Sequence, residues 1–241
     1  MMAFALRNQK ELLRDKLNIL FGLGFPLVLL SLLTLIQSNV PVELFRLQNL
    51  PPGICVFGLS FISLFSGTLI ARDRGRSFLP RLYCSPMRPG DYILGYALPL
   101  LPLAAAQMLC CFAFSLCLGL SFTPRIFLAI LVELPAAVVY IALGLLCGSL
   151  LRDKQVGGVC GALLTNVGAW LGGTWFDLEL LGGTLHKIAM LLPFAPAVEA
   201  GRAAMEGDIP RILPHVAVVG LWAAILLLLG IAAFRRQMKR A

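Results

Sequence analysis

Six apolar runs dominate the chain, and each approaches the length at which a helix can cross a lipid bilayer. Charged residues make up only 13% of the sequence and the mean hydropathy is +0.88, which leaves little polar surface for a soluble domain. A helix of about 20 residues rises about 30 Å, the thickness of the hydrocarbon core. We therefore predict an all-α polytopic membrane protein, folded as one domain over residues 1–241. The predicted membrane spans cover residues 17–36, 54–71, 92–120, 126–151, 155–173 and 215–234.

Basic residues cluster between these runs instead of spreading along the chain. Fifteen of the 20 lysines and arginines fall in residues 7–16, 72–88, 152–154 and 235–240. Short basic loops stay on the cytoplasmic side of a membrane. Six spans place all four segments on that side, which predicts a plasma-membrane protein with both termini in the cytoplasm. The net charge of +8 is then an orientation signal that also favours contact with the lipid bilayer. It does not indicate nucleic-acid binding.

Two further segments are predicted to lie at the membrane surface instead of crossing it. Residues 2–16 mix apolar and charged side chains, which is typical of an interfacial helix. A solvated basic tail that orients the first span is the alternative interpretation of this segment. Residues 174–214 contain short apolar stretches interrupted by Pro193 and Pro196, too short to cross a bilayer. We interpret this region as outside re-entrant half-helices before the last span.

The segment from Arg72 to Gly95 is the longest charged interruption in the first half of the chain. It carries five arginines against two acids. Its apolar residues fall on roughly one face of a helix, and they are Phe78, Leu79, Leu82 and Tyr83. We therefore predict a short amphipathic helix at the cytoplasmic surface, where another protein could bind it.

This segment also resembles a known signature. Gly75, Phe78-Leu79, Arg81-Leu82, Ser85-Pro86 and Ile93-Leu94-Gly95 are similar to the cytoplasmic motif of ABC-2 type transporter permeases. The sequence departs from that pattern at three points. The run Arg72-Asp73-Arg74 has less acid than is usual, Pro80 interrupts the turn, and Tyr96 stands where a lysine is common.

The resemblance implies the membrane subunit of an ABC exporter. Such a subunit pairs with a second permease copy or a homologous permease, and with separate ABC ATPase subunits. ATP and Mg²⁺ would bind in those partners, because this chain contains no GxxxxGK[ST] loop, and we expect no cofactor in the chain itself. The mostly apolar spans favour a hydrophobic or amphipathic cargo, such as a drug, a peptide or a lipid-linked molecule. The residues that the resemblance assigns to ATPase coupling are Arg74, Gly75, Phe78, Leu79, Arg81, Leu82, Ser85, Pro86 and Arg88.

Two polar residues inside predicted spans are candidates for the substrate path or its gate. Glu133 is the one carboxylate well inside a predicted span, where an ionised group costs roughly 2.5 to 3.5 kcal/mol. It could instead be a protonated structural acid. Asn166 lies midway along the fifth predicted span, and either lines a cavity or bonds to a neighbouring helix.

Small residues recur along one face of the fifth predicted span. Such stripes let helix backbones approach closely, so this face predicts packing against a second subunit or, equally, against another span of the same chain. The residues concerned are Gly157, Gly161, Thr165, Gly168 and Gly172.

Two other functions remain open from the sequence. One is an intramembrane enzyme using Glu133 or Glu199, although no paired intramembrane carboxylates or hydrolase motif accompany them. The other is a membrane immunity or scaffold protein that needs no ATPase. The seven cysteines lack metal-site spacing, so we interpret them as small apolar residues and expect no metal or catalytic site.

Overall fold

The computed structural model describes residues 1–39, 46–75, 78–82, 84, 87–175, 178 and 182–238. Within these ranges every regular element is a helix. Two segments are π-helical, Leu20–Gly24 and Gly157–Leu164. The α-helices are α1 Met2–Arg14, α2 Lys16–Ile19, α3 Phe25–Asn39, α4 Leu50–Gly75, α5 Phe78–Leu82, α6 Pro89–Ala97, α7 Leu100–Cys117, α8 Arg125–Leu150, α9 Asp153–Val156, α10 Thr165–Leu171, α11 Gly183–Leu191, α12 Phe194–Glu206 and α13 Ile209–Met238.

Five helices in the described part of the chain are long and apolar enough to cross a membrane. They correspond to the first four predicted spans and the last one, which confirms an all-α polytopic membrane protein. Their bounds are Leu20–Asn39, Leu50–Gly75, Pro89–Cys117, Arg125–Leu150 and Ile209–Met238.

The predicted fifth span, residues 155–173, is not among these five helices. Its backbone is helical from Asp153 to Leu171, roughly 28 Å at α-helical rise. The polar side chains of Lys154, Gln155 and Asn166 lower its hydropathy below that of the other spans. The segment therefore has almost the length of a span but not its apolar character.

The helices α11 and α12 meet at an angle of 84° before the last span. Leu192 and Pro193 form the break, and proline cannot donate the backbone hydrogen bond that a continuous helix would need. This bent pair has the geometry that we predicted for half-helices in this region. Counted as one span, it would bring the number of crossings to six.

The helices α4 and α8 form the centre of the bundle and cross with their backbones in contact. A Cβ atom at Gly67 would lie 2.9 Å from the carbonyl oxygen of Gly144, and one at Gly148 would overlap the carbonyl of Gly67. Small residues allow this approach. The most apolar stretch of α4 is 83% buried, against 22% for the first and last spans, so those two lie at the outside of the bundle.

Candidate functional site

A buried ion pair joins the N-terminal helix to the end of the central helix α4. Asp73 is only 1% exposed, and Arg7 from α1 donates a hydrogen bond to each of its carboxylate oxygens, the one to Oδ1 measuring 2.8 Å. The Tyr96 hydroxyl of α6 donates a third bond to Oδ2 at 2.8 Å. A carboxylate so deeply buried needs such partners, because its lost hydration must be replaced.

Arg7 extends this contact to the short helix α5. Its guanidinium carbon lies 4.3 Å from the centre of the Phe78 ring, a cation–π geometry. Burial on its own lowers the pKa of Arg7, but the hydrogen bond and negative charge of Asp73 outweigh it, so the pKa is raised. Arg7 is thus a fixed positive charge on α1 that contacts both α4 and α5.

The remaining contacts of α1 hold it along α6. The ring of Phe4 packs edge-on against Tyr96, with centroids 4.9 Å apart, and the Asn8 side chain donates to the carbonyl of Gly95 at 3.0 Å. Gly95 is required here because a Cβ would approach Phe4 to 2.5 Å. We call Phe4, Arg7, Asn8, Asp73, Gly95 and Tyr96 the α1 clamp.

The arginines next to Asp73 connect α4 to other parts of the basic end. Arg74 donates to the carbonyl oxygens of Ser149 and Leu151, which have no intrahelical partner at the end of α8. Arg72 lies 3.4 Å from Asp15 and 3.7 Å from Asp153, so it joins the α1–α2 turn to the start of α9. Arg74, predicted as a coupling residue, therefore also caps a core helix.

The other predicted coupling residues lie on or beside α5. Leu79 is fully buried, and the carbonyl of Leu82 accepts a 2.6 Å hydrogen bond from the Tyr92 hydroxyl. The backbone N–H of Arg88 donates to Asp91 at 2.9 Å and begins α6. Gly75 closes α4 with open space around its Cα. The side chain of Arg81 and the whole of Ser85 and Pro86 lie outside the described residues.

Sequence reasoning missed the centre of this arrangement. Asp73 was noted only as an acid within an arginine-rich run, and Arg7 only as part of a basic N-terminal segment. The available signal was the combination of that isolated acid with Tyr96, which replaces the lysine common at its position in the resembled family.

Glu133 lies in the interior of the bundle. Its side chain is fully buried on α8, and neither carboxyl oxygen has a hydrogen-bond partner among the described residues. Gly201 of α12 packs closely against it, since a Cβ at Gly201 would overlap Oε1 and would also lie 2.8 Å from Pro52 of α4. An ionised carboxylate in this position would have no compensating charge, so the geometry favours the neutral acid.

Replacing Glu133 by glutamine should therefore change the free energy of unfolding by no more than about 1 kcal/mol, because the amide has the same shape and no charge. Replacement by lysine should prevent accumulation of the protein, since a charge at a helix centre costs about 2.5 to 3.5 kcal/mol. Thermal unfolding in detergent and transport rates measured together test this. Loss of transport in a normally stable Glu133→Gln protein would show that ionisation of this group is required for function.

Asn166 occupies a different environment from Glu133. It is exposed on α10, where its side chain donates to the carbonyl of Ala162 at 2.8 Å, beside an exposed Trp170. The structure does not bring the two candidate path residues together. Any route that includes both would have to extend from the interior to the outer face of α10.

Most of the predicted small-residue stripe packs within the chain. A Cβ at Gly161 would lie 3.3 Å from Leu64 of α4, and one at Gly168 would lie 2.7 Å from the Tyr140 hydroxyl of α8. Gly172 faces Val198 of α12 at 3.6 Å. The Thr165 hydroxyl bonds to the carbonyl of Cys160 at 3.1 Å, and Gly157 faces open space. A contact with a second subunit through the stripe stays a prediction.

Glu199 belongs to a polar network at the end of the bundle away from the clamp. Arg202 donates to Glu199 at 2.9 Å and to the carbonyl of Gly173 at 2.9 Å, while Arg211 of α13 lies 3.6 Å from Glu199. The network ties α12 to α13 and to the turn after α10. These ion pairs give Glu199 a structural role in holding α12 to α13.

Span-length helices around an α4–α8 core, with an amphipathic helix clamped at the basic end, define a multi-pass membrane protein. The sequence model of the ABC-2 type transporter family matches residues 1–205, from α1 through nearly all of α12. The chain therefore belongs to the ABC-2 type transporter family and is a membrane permease subunit of an ABC transporter. This confirms the resemblance read from the segment between Arg72 and Gly95. No curated protein sequence matches the chain.

Proposed function

We propose that this chain is the membrane subunit of an ATP-driven exporter that moves a hydrophobic or amphipathic molecule out of the cell. Two permease subunits, either two copies or this chain with a homologous one, would assemble with two separate ATPase subunits. ATP and Mg²⁺ bind in those subunits. A drug, a peptide or a lipid-linked molecule fits the largely apolar character of the spans.

This proposal rests on Arg7 of α1, which contacts Phe78 of α5 and Asp73 at the end of α4. In the family, the segment that contains α5 contacts the ATPase. A displacement of α5 by the ATPase would act on Phe78, pass through Arg7 to Asp73, and so reach the central helix. Packed interfaces of this kind transmit such displacements as movements of whole elements.

The orientation follows from the basic clusters. The α1 clamp and the start of α9 carry residues from three of the four basic segments, and Phe234 near the fourth packs against Tyr92 with centroids 5.3 Å apart. This common location supports a cytoplasmic face with both termini inside the cell. The fifth crossing in this arrangement is the helical stretch from Asp153 to Leu171.

Labelling of Cys84 tests the orientation directly, because this cysteine is exposed in the same segment as α5. In a variant that keeps Cys84 and replaces the other cysteines by alanine, a membrane-impermeant maleimide should react only after the cells are permeabilised. Labelling in intact cells would place this segment outside, and the proposed coupling would fail with it.

Co-purification tests the assignment to an ATPase-driven complex. Extraction of the natively expressed chain in a mild detergent should retain a stoichiometric ATP-binding subunit, and the complex should hydrolyse ATP. ATP-dependent uptake of a fluorescent hydrophobic dye into inside-out vesicles then reports export. A functional chain that purifies without any ATPase would instead support the scaffold or immunity alternative.

A further inference from the structure

A basic pocket of about 360 Å³ lies between the end of α4 and the start of α9. Its described lining consists of three arginines, one aspartate, an alanine and a glycine, namely Arg72, Arg74, Arg152, Asp153, Ala71 and Gly75. Three guanidinium groups thus surround one cavity with a single carboxylate among them. A pocket lined mainly by one sign of charge concentrates ions of the opposite sign. Its ligand is therefore an anion.

The three arginines of this pocket differ in how they are held. Arg74 donates hydrogen bonds to the carbonyl oxygens of Ser149 and Leu151 at the end of α8. Its guanidinium is thus committed to the backbone and adds positive charge to the wall of the pocket. We therefore assign the direct contacts with the anion to the other two arginines.

Arg72 is only loosely paired with its neighbouring acids. It lies 3.4 Å from Asp15 and 3.7 Å from Asp153, both beyond the roughly 2.7 to 2.9 Å of a close charge-assisted hydrogen bond. Asp15 also accepts a 2.8 Å hydrogen bond from Asn18. The two contacts of Arg72 use Nη1 and Nε, and its side chain is 44% exposed. The guanidinium can therefore turn Nη2 toward a ligand in the pocket.

Arg152 faces the same pocket from the start of α9. Its backbone N–H donates to the side chain of Gln155 at 3.0 Å, which fixes the position of the residue. Its side chain is exposed and forms no ion pair with any residue that the structure describes. Arg72 and Arg152 therefore present two guanidinium groups, one from each side of the cavity.

The pocket lies at the level where two apolar helices end. Ala71 is buried in the lining close to the end of α4, and the exposed Leu150 is the last residue of α8. Lipid phosphates lie at this level of a bilayer, and basic pockets between membrane helices bind anionic headgroups there. The position is thus accessible to a phosphate from the membrane as well as from solution.

We infer that this pocket binds a phosphate group, held between Arg72 and Arg152. The planar guanidinium matches two phosphate oxygens at once, which makes arginine a better phosphate ligand than a point charge. An anionic phospholipid headgroup and a soluble phosphate present the same group. The inference goes beyond the proposed function, because it needs neither an ATPase nor outward transport.

Two probes applied to the purified full chain test the inference and separate the sources. Native mass spectrometry compares retention of phosphatidylglycerol with that of phosphatidylcholine, and calorimetry measures binding of inorganic phosphate against chloride at equal ionic strength. A preference of about tenfold for phosphatidylglycerol identifies the lipid headgroup, whereas binding of inorganic phosphate without that preference identifies a soluble ligand. The variant Arg72→Gln/Arg152→Gln should bind the preferred probe about 25-fold more weakly, or about fivefold for each arginine.

A substitution of opposite sign and a matched control sharpen the test. Asp153→Asn should strengthen binding about fivefold, because the carboxylate repels phosphate and attracts Arg72 away from it. Arg235→Gln/Arg236→Gln removes two exposed arginines outside the pocket lining and should leave binding unchanged.

Three outcomes would overturn the inference. In the first, wild type shows neither the lipid preference nor binding of inorganic phosphate. In the second, the control pair weakens binding as much as the pocket pair does. In the third, the pocket variant keeps full affinity for the probe but no longer co-purifies with an ATPase, and the pocket is then a protein-docking site.

Discussion

Replacing Arg7 by alanine is expected to reduce ATP-dependent transport by about tenfold or more while the membrane bundle stays folded. The substitution leaves Asp73 buried, with the Tyr96 hydroxyl as its one side-chain donor among the residues that the structure describes. Breaking a buried ion pair costs about 3 to 5 kcal/mol, and the lower value applies here because Arg7 is 34% exposed. We expect α1 to detach from the bundle and so relieve this cost, because the α4–α8 core does not depend on the contact.

Two measurements together test this prediction. Transport and ATP hydrolysis in vesicles report coupling, and hydrogen exchange over residues 2–14 reports whether α1 has detached. Arg236→Ala is the matched control, since it removes an exposed arginine from the end of α13. Normal transport by the Arg7→Ala protein would show that the α1 clamp has no role in coupling, and unchanged exchange would show that the substitution does not release α1.

Replacing Asp73 distinguishes the loss of the ion pair from the cost of leaving a buried charge unpaired. Asp73→Ala alone should be milder than Arg7→Ala, because it leaves the cation partly solvated and no unpaired carboxylate inside the protein. The double variant should resemble Asp73→Ala, so the two effects are not additive. Additive losses would mean that Arg7 and Asp73 act on different parts of the protein.

Replacing Gly144 by alanine is expected to lower the free energy of unfolding by about 3 kcal/mol, and leucine should prevent assembly. A Cβ at this position would overlap the carbonyl of Ser63 and the hydroxyl of Ser66 across the α4–α8 crossing. The carbonyl belongs to the backbone and cannot move aside as a flexible side chain can. The value therefore lies at the upper end of the usual cost of overpacking.

Gly220 provides the control for this prediction. It lies in α13 with open space around its Cα, so Gly220→Ala should be neutral or stabilising by up to about 1 kcal/mol. Thermal unfolding midpoints of both variants in one detergent make the comparison. Equal midpoints would refute the close α4–α8 crossing.

Hydropathy predicted most of the fold because it is a local property of each run. Five of the six spans and the bent region before the last one were found in this way. The predicted span over residues 155–173 is not among these helices, because polar side chains such as Asn166 lower its hydropathy. Its Gly161 and Gly168 pack closely against Leu64 and Tyr140, a contact that no window of sequence records.

Only part of the candidate site could be predicted from the sequence. Phe78 and Leu82 form a pattern within five residues, so α5 could be predicted. Arg7 and Asp73 are 66 positions apart, and their pairing depends on how α1 lies against α6. A single sequence contains no direct signal for such a contact, although Tyr96 at a position where lysine is common was an indirect one.

The two hydrogen bonds from Arg74 to the end of α8 have a mechanical consequence. They fasten the last turn of α4 to α8 at one end, while the glycine crossing holds the same pair further along. Sliding of one central helix past the other would break both attachments. A push on α5 would therefore tilt α4 and α8 as one rigid body, and the outer helices α3 and α13 would be the ones to accommodate the change.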